Sequence, residues 1–416
     1  RWFLVFFPAA FLVLALAPGP RARLAALLAL SAVFHYHFAG PAGVAPIIAM
    51  GAATYAGGLL VGRAEGTPRR RLFFAFLVVP VAGLVAYKYQ GLLLGSLGAL
   101  LGGPVGLALP AVRPPALPLA ISFFTFEFVH YLTDVYKGSP PIRDPARFAL
   151  FAIHFPSIVS GPIKRFQPFL AQLEGGLPRP RPEALVLGAG QAALGFAKKL
   201  VVADAAAEAI SLVQAAPPSR TSVVLLVALL SVRILFDFSG YSDIAIGLSR
   251  MIGVELPPNF RTPYAARNIA EFWRRWHISL SSWIRDYLYV PLGGSRHGML
   301  RRVLNLALTM FLCGLWHGAA WHFGVWRLYH GAGLGAHALW RSSPAAVRFS
   351  RVPAANLLST ILTVCFVAFG WLLFFYPLAD VARFLSQATF GPVSPDEIVA
   401  VRAYGYDAWL QRQFTL

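Results

Sequence analysis

The reading of the chain turns on residues 272–331, which open FWRRWHISLSSWIRDYLYVPLGG (272–294) and close LTMFLCGLWHGAAWHFGVWRLYHG (308–331). The first half is basic and rich in tryptophan. The second is nearly free of acidic side chains and apolar enough to enter a bilayer, yet it carries His317. Fully charged side chains cost roughly 2.5 kcal/mol or more at the centre of a membrane helix, so an imidazole at that depth marks a functional site by default. The small residues of LeuTrpHisGlyAlaAla (315–320) let a substrate approach the ring. A neutral imidazole can accept a hydroxyl proton near pH 7, as general-base catalysis requires. A structural histidine donating to a backbone carbonyl fits the same position, and residue types and spacing alone leave the two uses evenly matched.

Upstream, 250–302 is basic and contains no run long enough to span a membrane. Ile269, Phe272, Trp276, Leu280, Trp283, Tyr287 and Leu288 recur at three- and four-residue steps, with Arg274, Arg275, Ser281 and Arg285 on the other side. The spacing predicts an amphipathic helix lying at the membrane interface. Arg274, Arg275 and Arg285 could hold the phosphates of a coenzyme or the acidic face of a carrier protein, because guanidinium meets phosphate in a bidentate way. Anchoring to anionic lipid headgroups is the commoner use of such residues. His277 reads either as a second active-site group or as an interfacial histidine bound to lipid phosphate.

The composition sets the class. Of 416 residues, 57% are hydrophobic and 13% charged, where soluble domains carry about 25% charged residues. Mean hydropathy is +0.62. The expectation is an all-α polytopic membrane protein forming one membrane-embedded unit over 1–416, because no hydrophilic block approaches the ~50 residues of a separate domain. The net charge of +19 sits in short loops between apolar runs, which is the pattern of cytoplasmic loops rather than of nucleic-acid binding. Cys313 and Cys365 are the two cysteines, each inside an apolar run, so no disulfide framework or cysteine metal site is implied.

Apolar runs fall at 2–17, 24–38, 44–61, 72–89, 120–136, 184–213, 223–236, 304–316, 319–340 and 357–376, and the tail to Leu416 could add a short helix. The first is read as a retained helix, since it lacks a basic leader and a small-residue cleavage site. Residues 91–118 read as a helix plus an outer loop. The stretch 148–162 is short for a crossing, at roughly 15 residues where ~20 are usual; with Pro156, Gly161 and Pro162 it reads as re-entrant. PheSerGlyTyrSerAsp (238–243), which includes Asp243, breaks the apolar pattern after 236. The total is about ten or eleven membrane segments. If the loop Arg63–Arg71 is cytoplasmic, Arg21 and Arg23 fall on the same side, as do Lys137, Arg143 and Arg147, which puts the N-terminus outside. Glu127, His130 and Asp134 follow i, i+3, i+7 spacing and share one helix face, directed inward.

Other chemistries find little support. Metal ligation among His317, His322, His330 and His337, or at His35 and His37, lacks i, i+4 pairing and nearby carboxylates. No GlyXSerXGly elbow, Walker loop or dinucleotide fingerprint occurs.

Four stretches, taken together and in order, resemble the membrane-bound O-acyltransferase (MBOAT) family in its bacterial, alginate O-acetyltransferase-like branch. They are SerPhePheThrPhe (122–126) continuing to TyrLeuThrAspValTyr; PheProSerIleValSerGlyProIleLysArg (155–165); 238–264, from PheSerGlyTyrSerAsp to AsnPheArgThrProTyr; and 272–331. They cover most of 120–335. The resemblance implies an MBOAT fold with re-entrant segments and a central tunnel. It makes His317 similar to the family's catalytic histidine and His277 to its second functional histidine. Arg274, Arg275, Arg285, Trp276, Trp316 and Asn259 are then expected to bind substrate or donor, and Glu127, His130, Asp134 and Asp243 to be tunnel or structural polar groups. No bound cofactor or metal is expected. The implied donor is a cytoplasmic thioester, acetyl-coenzyme A or an acyl carrier protein. The implied acceptor is an exported or envelope polysaccharide, or an extracytoplasmic acyltransferase partner, at the bacterial inner membrane. The SerPhePheThrPhe and LysArgPhe details, with a short tail after Tyr376, resemble the acetylating branch more than the D-alanyl one. D-alanyl transfer from a carrier to teichoic acid, peptidoglycan O-acetylation, and a transporter or flippase are the alternatives.

Overall fold

A computed structural model describes residues 2–105, 117–159, 161–215 and 219–382. The tail helix expected beyond 382, and the outer-loop residues 106–116 of the 91–118 stretch, lie outside these. The described residues form helices and no strand. In order these are α1 (Trp2–Leu16), α2 (Pro20–Arg63), α3 (Gly66–Leu84), α4 (Gln90–Val105), α5 (Ile121–Tyr136), α6 (Pro145–Ile153), α7 (Phe166–Ala171) and α8 (Pro182–Ala197). There follow α9 (Asp204–Ala215), α10 (Arg220–Ile252), α11 (Ile269–Arg275), α12 (Ile278–Ile284), α13 (Gly298–His317), α14 (Trp321–Arg341), α15 (Pro344–Ser350) and α16 (Ala355–Phe375).

Six stretches among the described residues are long and apolar enough to cross a membrane: Pro20–Arg63, Gly66–Leu101, Pro182–Ala215, Arg220–Ile252, Gly298–His317 and Ala355–Phe375. The chain is an all-α polytopic membrane protein. Of the other expected segments, two share the long α2, and the rest correspond to α1, α5 and α14, which are shorter or more polar. α2 carries both the second and third apolar runs, bent where Gly40 takes φ 64 ahead of Pro41. The short α6 is followed by buried irregular backbone: His154, Phe155 and Ser157 are all buried. Such backbone is tolerated at membrane depth only inside protein or beside a wet cavity.

Two expectations are corrected. The sequence 238–243 does not interrupt a helix, because α10 runs straight through it. A Cβ on Gly195 would stand 2.6 Å from the Gly240 carbonyl oxygen, and one on Gly188 2.7 Å from that of Gly247. The small polar residues are therefore the contact surface on which α8 and α10 approach backbone to backbone. Nor is 269–288 one helix lying on the bilayer. It is α11, a break at Trp276 and His277, α12, and a π-helical turn Arg285–Tyr289. Its apolar side faces protein: Phe272, Trp276, Leu280 and Trp283 are all buried. Trp276 packs at 4.9 Å on Trp371 of α16, and Trp283 stacks at 4.1 Å on Phe126 of α5.

Candidate active site

α13 ends at His317, and Gly318 beyond it is extended. The carbonyls of a last helical turn have no partner in their own helix. Two of them are taken here by side chains from the π-helical turn Val85–Tyr89. Tyr89 donates to the Leu315 carbonyl at 2.7 Å, and Lys88 donates to the Trp316 carbonyl and, at 2.9 Å, to Ser122 Oγ. A π-turn carries one residue more than an α-turn, and in this one two consecutive side chains reach the end of the same helix. A cation at a helix C-terminus also meets the negative end of the dipole.

His277 lies outside the spanning helices and is itself the break between α11 and α12, in the left-handed region at φ 45, ψ 57. For a residue other than glycine this costs roughly 1–3 kcal/mol and persists only where the surroundings enforce it. The enforcing contacts come from 259–262. Ile278 N–H donates to the Asn259 carbonyl and Arg261 N–H to that of Arg275, both at 2.9 Å. Asn259 Oδ1 accepts from Ser279 N–H at 3.3 Å and from Ser279 Oγ at 2.8 Å, and lies 3.1 Å from His277 Nδ1. Asn259 Nδ2 donates to Ser242 Oγ at 3.1 Å. Nε2 of His277 is buried with no hydrogen-bond partner among the described residues. Burial, with Arg327 adding to it, pushes this imidazole down to about 3, so the ring is neutral.

A cavity of about 360 Å³ brings the two histidines together. His277 and His317 line it with Trp276, Trp316, Trp326 and Trp371, and α10 contributes Arg233, Asp237 and Tyr241. A second cavity, of about 440 Å³, runs along α13 and α14 from Arg274, Arg285, Arg302 and His337 to Cys313 and Arg327. The interval from Arg302 to Cys313 on α13 corresponds to roughly 16 Å of helix rise.

Arg327 stands between the two. Its guanidinium lies 4.0 Å from the ring centroid of Trp273, which lines the second cavity, and 4.4 Å from that of Trp326, which lines the first. It is 2% exposed and makes no ion pair among the described residues. Its NH2 group is 2.7 Å from His317 Nε2. Gly314 makes room for it, since a Cβ there would stand 2.8 Å from Arg327 Cβ.

The residues singled out from sequence therefore separate into groups. His317, His277, Trp276 and Trp316 share the first cavity, with Asn259 directly behind His277. Arg274 and Arg285 line the second. Arg275 lines neither and pairs instead with Glu271 at 2.6 Å and donates to Thr262. Glu127, His130 and Asp134 face inward but away from both cavities, where they fasten 163–167 and Tyr287 to α5. Glu127 pairs with Lys164 at 2.5 Å. His130 uses both nitrogens, Nδ1 towards the Phe126 carbonyl and Nε2 accepting Phe166 N–H, each at 3.3 Å. Asp134 accepts from Gln167 and Tyr287 at 2.8 Å. Asp243 joins α10 to α8 through Gln191 at 3.1 Å and to the π-helical turn after α8 through Lys198 at 2.5 Å. Sequence reasoning missed Arg327, Arg302, Lys88 and Tyr89. The available signal was an unpaired cation inside an apolar run, at 88 in 72–89 and at 327 in 319–340.

Residues 116–378 match the model of the MBOAT, membrane-bound O-acyltransferase family. The chain is 38% identical over 320 residues to the probable alginate O-acetylase AlgI of Azotobacter vinelandii, covering 76% of this chain and 62% of that protein. It is 35% identical over 294 residues to the peptidoglycan O-acetyltransferase of Helicobacter pylori, covering 62% of this chain and 54% of that one. It is 27% identical over 334 residues to the teichoic acid D-alanyltransferase of Bacillus subtilis, covering 73% and 83%. The chain spans about three fifths of the length of the alginate-type relatives it matches.

Proposed function

The chain belongs to the membrane-bound O-acyltransferase family, and from that premise we propose that it moves an acetyl group from a thioester to a hydroxyl of an exported or cell-envelope polysaccharide. The observation that carries this reading is the contact between Arg327, which lines one cavity, and His317, which lines the other. The arginine-rimmed cavity suits a donor bearing phosphates, either acetyl-coenzyme A or the thioester of an acyl carrier protein, bound as substrate at Arg274, Arg285 and Arg302. The histidine- and tryptophan-lined cavity suits a hydroxyl acceptor, which is the polysaccharide itself or a serine of an extracytoplasmic partner acyltransferase.

The chemistry needs a proton acceptor for the hydroxyl and a donor for the carbonyl oxygen that becomes negative. The two imidazoles and the Arg327 guanidinium are groups of those kinds. With the basic loops on the cytoplasmic side, the protein sits in the bacterial inner membrane with its N-terminus outside, and the donor enters from the cytoplasm.

Acetyl is preferred over D-alanyl because the relatives named for O-acetylation are the more similar, at 38% and 35% against 27% identity. A transporter reading would require Glu127, His130 and Asp134 to form an ionisable path to His317, and their engagement with Lys164, Phe166, Gln167 and Tyr287 disfavours it. The test is release of free thiol from acetyl-coenzyme A, and separately from acetylated and D-alanylated carrier protein, by the purified protein in lipid nanodiscs with a polysaccharide acceptor. Acceptor-dependent release from an acetyl donor supports the reading. Release from the D-alanyl carrier alone replaces the substrate, and no release from any donor removes the reaction.

A further inference from the structure

A threonine on a helix can return its hydroxyl hydrogen to the carbonyl four residues back, and is then satisfied by its own helix. Thr125, Thr133 and Thr363 do so, at 2.9, 2.7 and 2.7 Å from the carbonyls of Ile121, Val129 and Ser359. Thr309 of α13 does not. It lines the second cavity, is 3% exposed, and its Oγ1 is buried with no hydrogen-bond partner among the described residues. Trp273 of α11 lines the same cavity, is 7% exposed, and has its Nε1 buried without a partner as well. Leaving a buried polar group unsatisfied is costly. Two of them on residues that wall one cavity point to a ligand that satisfies both.

The surroundings say what kind of ligand. Arg302, Leu306, Thr309, Met310 and Cys313 all line this cavity, at the i, i+4, i+7, i+8, i+11 spacing of one helix face. Thr309 comes roughly 10 Å of helix rise beyond Arg302 and roughly 6 Å short of Cys313. The face therefore runs from a cationic end, through an apolar stretch that Thr309 interrupts, to the end that holds Arg327. Trp273 belongs to that far end, since its ring lies 4.0 Å from the Arg327 guanidinium. An indole N–H can only donate, so it demands an acceptor, whereas a threonine hydroxyl donates and accepts. A hydrocarbon chain offers neither partner. An arm with amide groups spaced between a phosphate and a thioester offers carbonyls to both residues and an N–H to the hydroxyl.

We infer that Thr309 and Trp273 are specificity-determining residues for the donor, which hold the amide groups of a pantetheine arm while the cationic end holds its phosphate. The assignment rests on the acyl-transfer reading above. Coenzyme A and acyl carrier protein share this arm, so the two residues read what those donors have in common. They select against thioesters that lack amides, and they fix how far the arm enters the cavity.

The experiment measures donor KM and kcat in nanodiscs for Thr309→Val, Thr309→Ser and Trp273→Phe, with acetyl-coenzyme A and acetylated carrier protein as separate donors, together with the unfolding midpoint in the absence of donor. Valine exchanges the hydroxyl for a methyl group at nearly the same volume. Thr309→Val should raise the KM of whichever donor the wild type consumes about three- to tenfold, the worth of one hydrogen bond, with kcat within about twofold. Thr309→Ser should stay within about twofold of the wild type. Trp273→Phe should raise the KM likewise, whatever it does to kcat through Arg327. The donor that the wild type consumes identifies which molecule carries the arm.

Without donor, the midpoint of Thr309→Val should be unchanged or raised, because the hydroxyl that is lost has no partner. A lowered midpoint would make the hydroxyl structural and overturn the assignment. An unchanged KM in Thr309→Val would do the same, since water alone would then satisfy Oγ1. So would an equal loss with S-acetyl mercaptoethanol, an acetyl thioester that has no amide to hold. A wild type that consumes neither acetyl donor would instead remove the acyl-transfer reading, and the assignment with it.

Discussion

Arg327 donates from its NH2 group to Nε2 of His317 at 2.7 Å, between two indoles and without a carboxylate partner among the described residues. A buried cation held only by ring faces and one imidazole is an expensive arrangement for stability, since replacing buried charge by apolar groups of similar volume is often neutral or stabilising. Its retention between two cavities fits a role in the chemistry. Arg327→Met should therefore leave the thermal unfolding midpoint unchanged or raised while lowering kcat by roughly 10- to 100-fold, the worth of a hydrogen bond to a charged group. A fall in midpoint with unchanged kcat would make Arg327 structural.

Glu127 and Lys164 supply the opposite case. Their ion pair at 2.5 Å is buried on both sides, with side chains 6% and 3% exposed. Removing one partner leaves the other charge uncompensated and should cost roughly 3–5 kcal/mol, whereas replacing both by apolar residues should recover most of it. Thermal unfolding in detergent of Glu127→Leu, Lys164→Met and the double variant reads this directly. The double variant should melt above either single one.

Much of the architecture was legible because a bilayer forces its helices to be long and apolar. Residues 272–331 carry both histidines in plain view, and the bend at Gly40 falls in the gap between the apolar runs 24–38 and 44–61. What failed was the environment of amphipathic stretches. Phe272, Trp276 and Trp283 are as apolar as an interfacial helix requires, and nothing in their spacing says that Trp371 and Phe126 cover them instead of lipid. The break at His277 was hidden as well, since a left-handed residue other than glycine leaves no mark in composition; it is enforced by contacts to Asn259, outside the helix that the spacing predicts. Gly240 misled in the other direction, because a glycine that ends one helix and a glycine that lets two helices touch look the same in sequence. Lys88 reaches the Trp316 carbonyl and Arg327 reaches His317 through tertiary contacts, and no spacing rule announces either.

Arg274, Arg275, Arg285 and Arg302 should divide by position. Arg274, Arg285 and Arg302 line the second cavity, while Arg275 is tied to Glu271. Substitution by glutamine at Arg285 or Arg302 should raise the donor KM roughly tenfold or more, the loss expected for one charge-assisted contact, with kcat little changed. Arg275→Gln should leave the KM within about twofold, because its guanidinium is turned to Glu271 and Thr262 and lines neither cavity. A donor titration at saturating acceptor decides. Equal effects at 275 and 302 would mean that the donor does not use this cavity.

Asn259→Asp tests the positioning of His277 through pH. The carboxylate can accept from His277 Nδ1–H and Ser279 as the amide does, and Ser242 can turn its hydroxyl to donate. An adjacent negative charge favours the imidazolium and raises the pKa of the ring, which burial otherwise holds near 3. The charged and titratable groups around the ring are His317 and Arg327 on α13 and α14 and Arg233, Asp237 and Tyr241 on α10, all unchanged by the substitution. In the wild type the ring is neutral throughout the working range and contributes no acid limb. In Asn259→Asp a limb should appear, with activity falling as pH drops through the raised value because the ring, neutral in the wild type, then becomes charged inside the cavity. An unaltered profile would separate Asn259 from the reaction.

Access of donor and acceptor to His277 and His317 through different cavities, from opposite sides of a membrane, is read in sealed proteoliposomes of determined orientation, with radiolabelled acetyl thioester on the side of Arg274, Arg285 and Arg302 and polysaccharide on the other. Label should appear on the polysaccharide without mixing of the compartments, and should be lost in His317→Ala. Label appearing only when both substrates share one compartment would contradict such two-sided access.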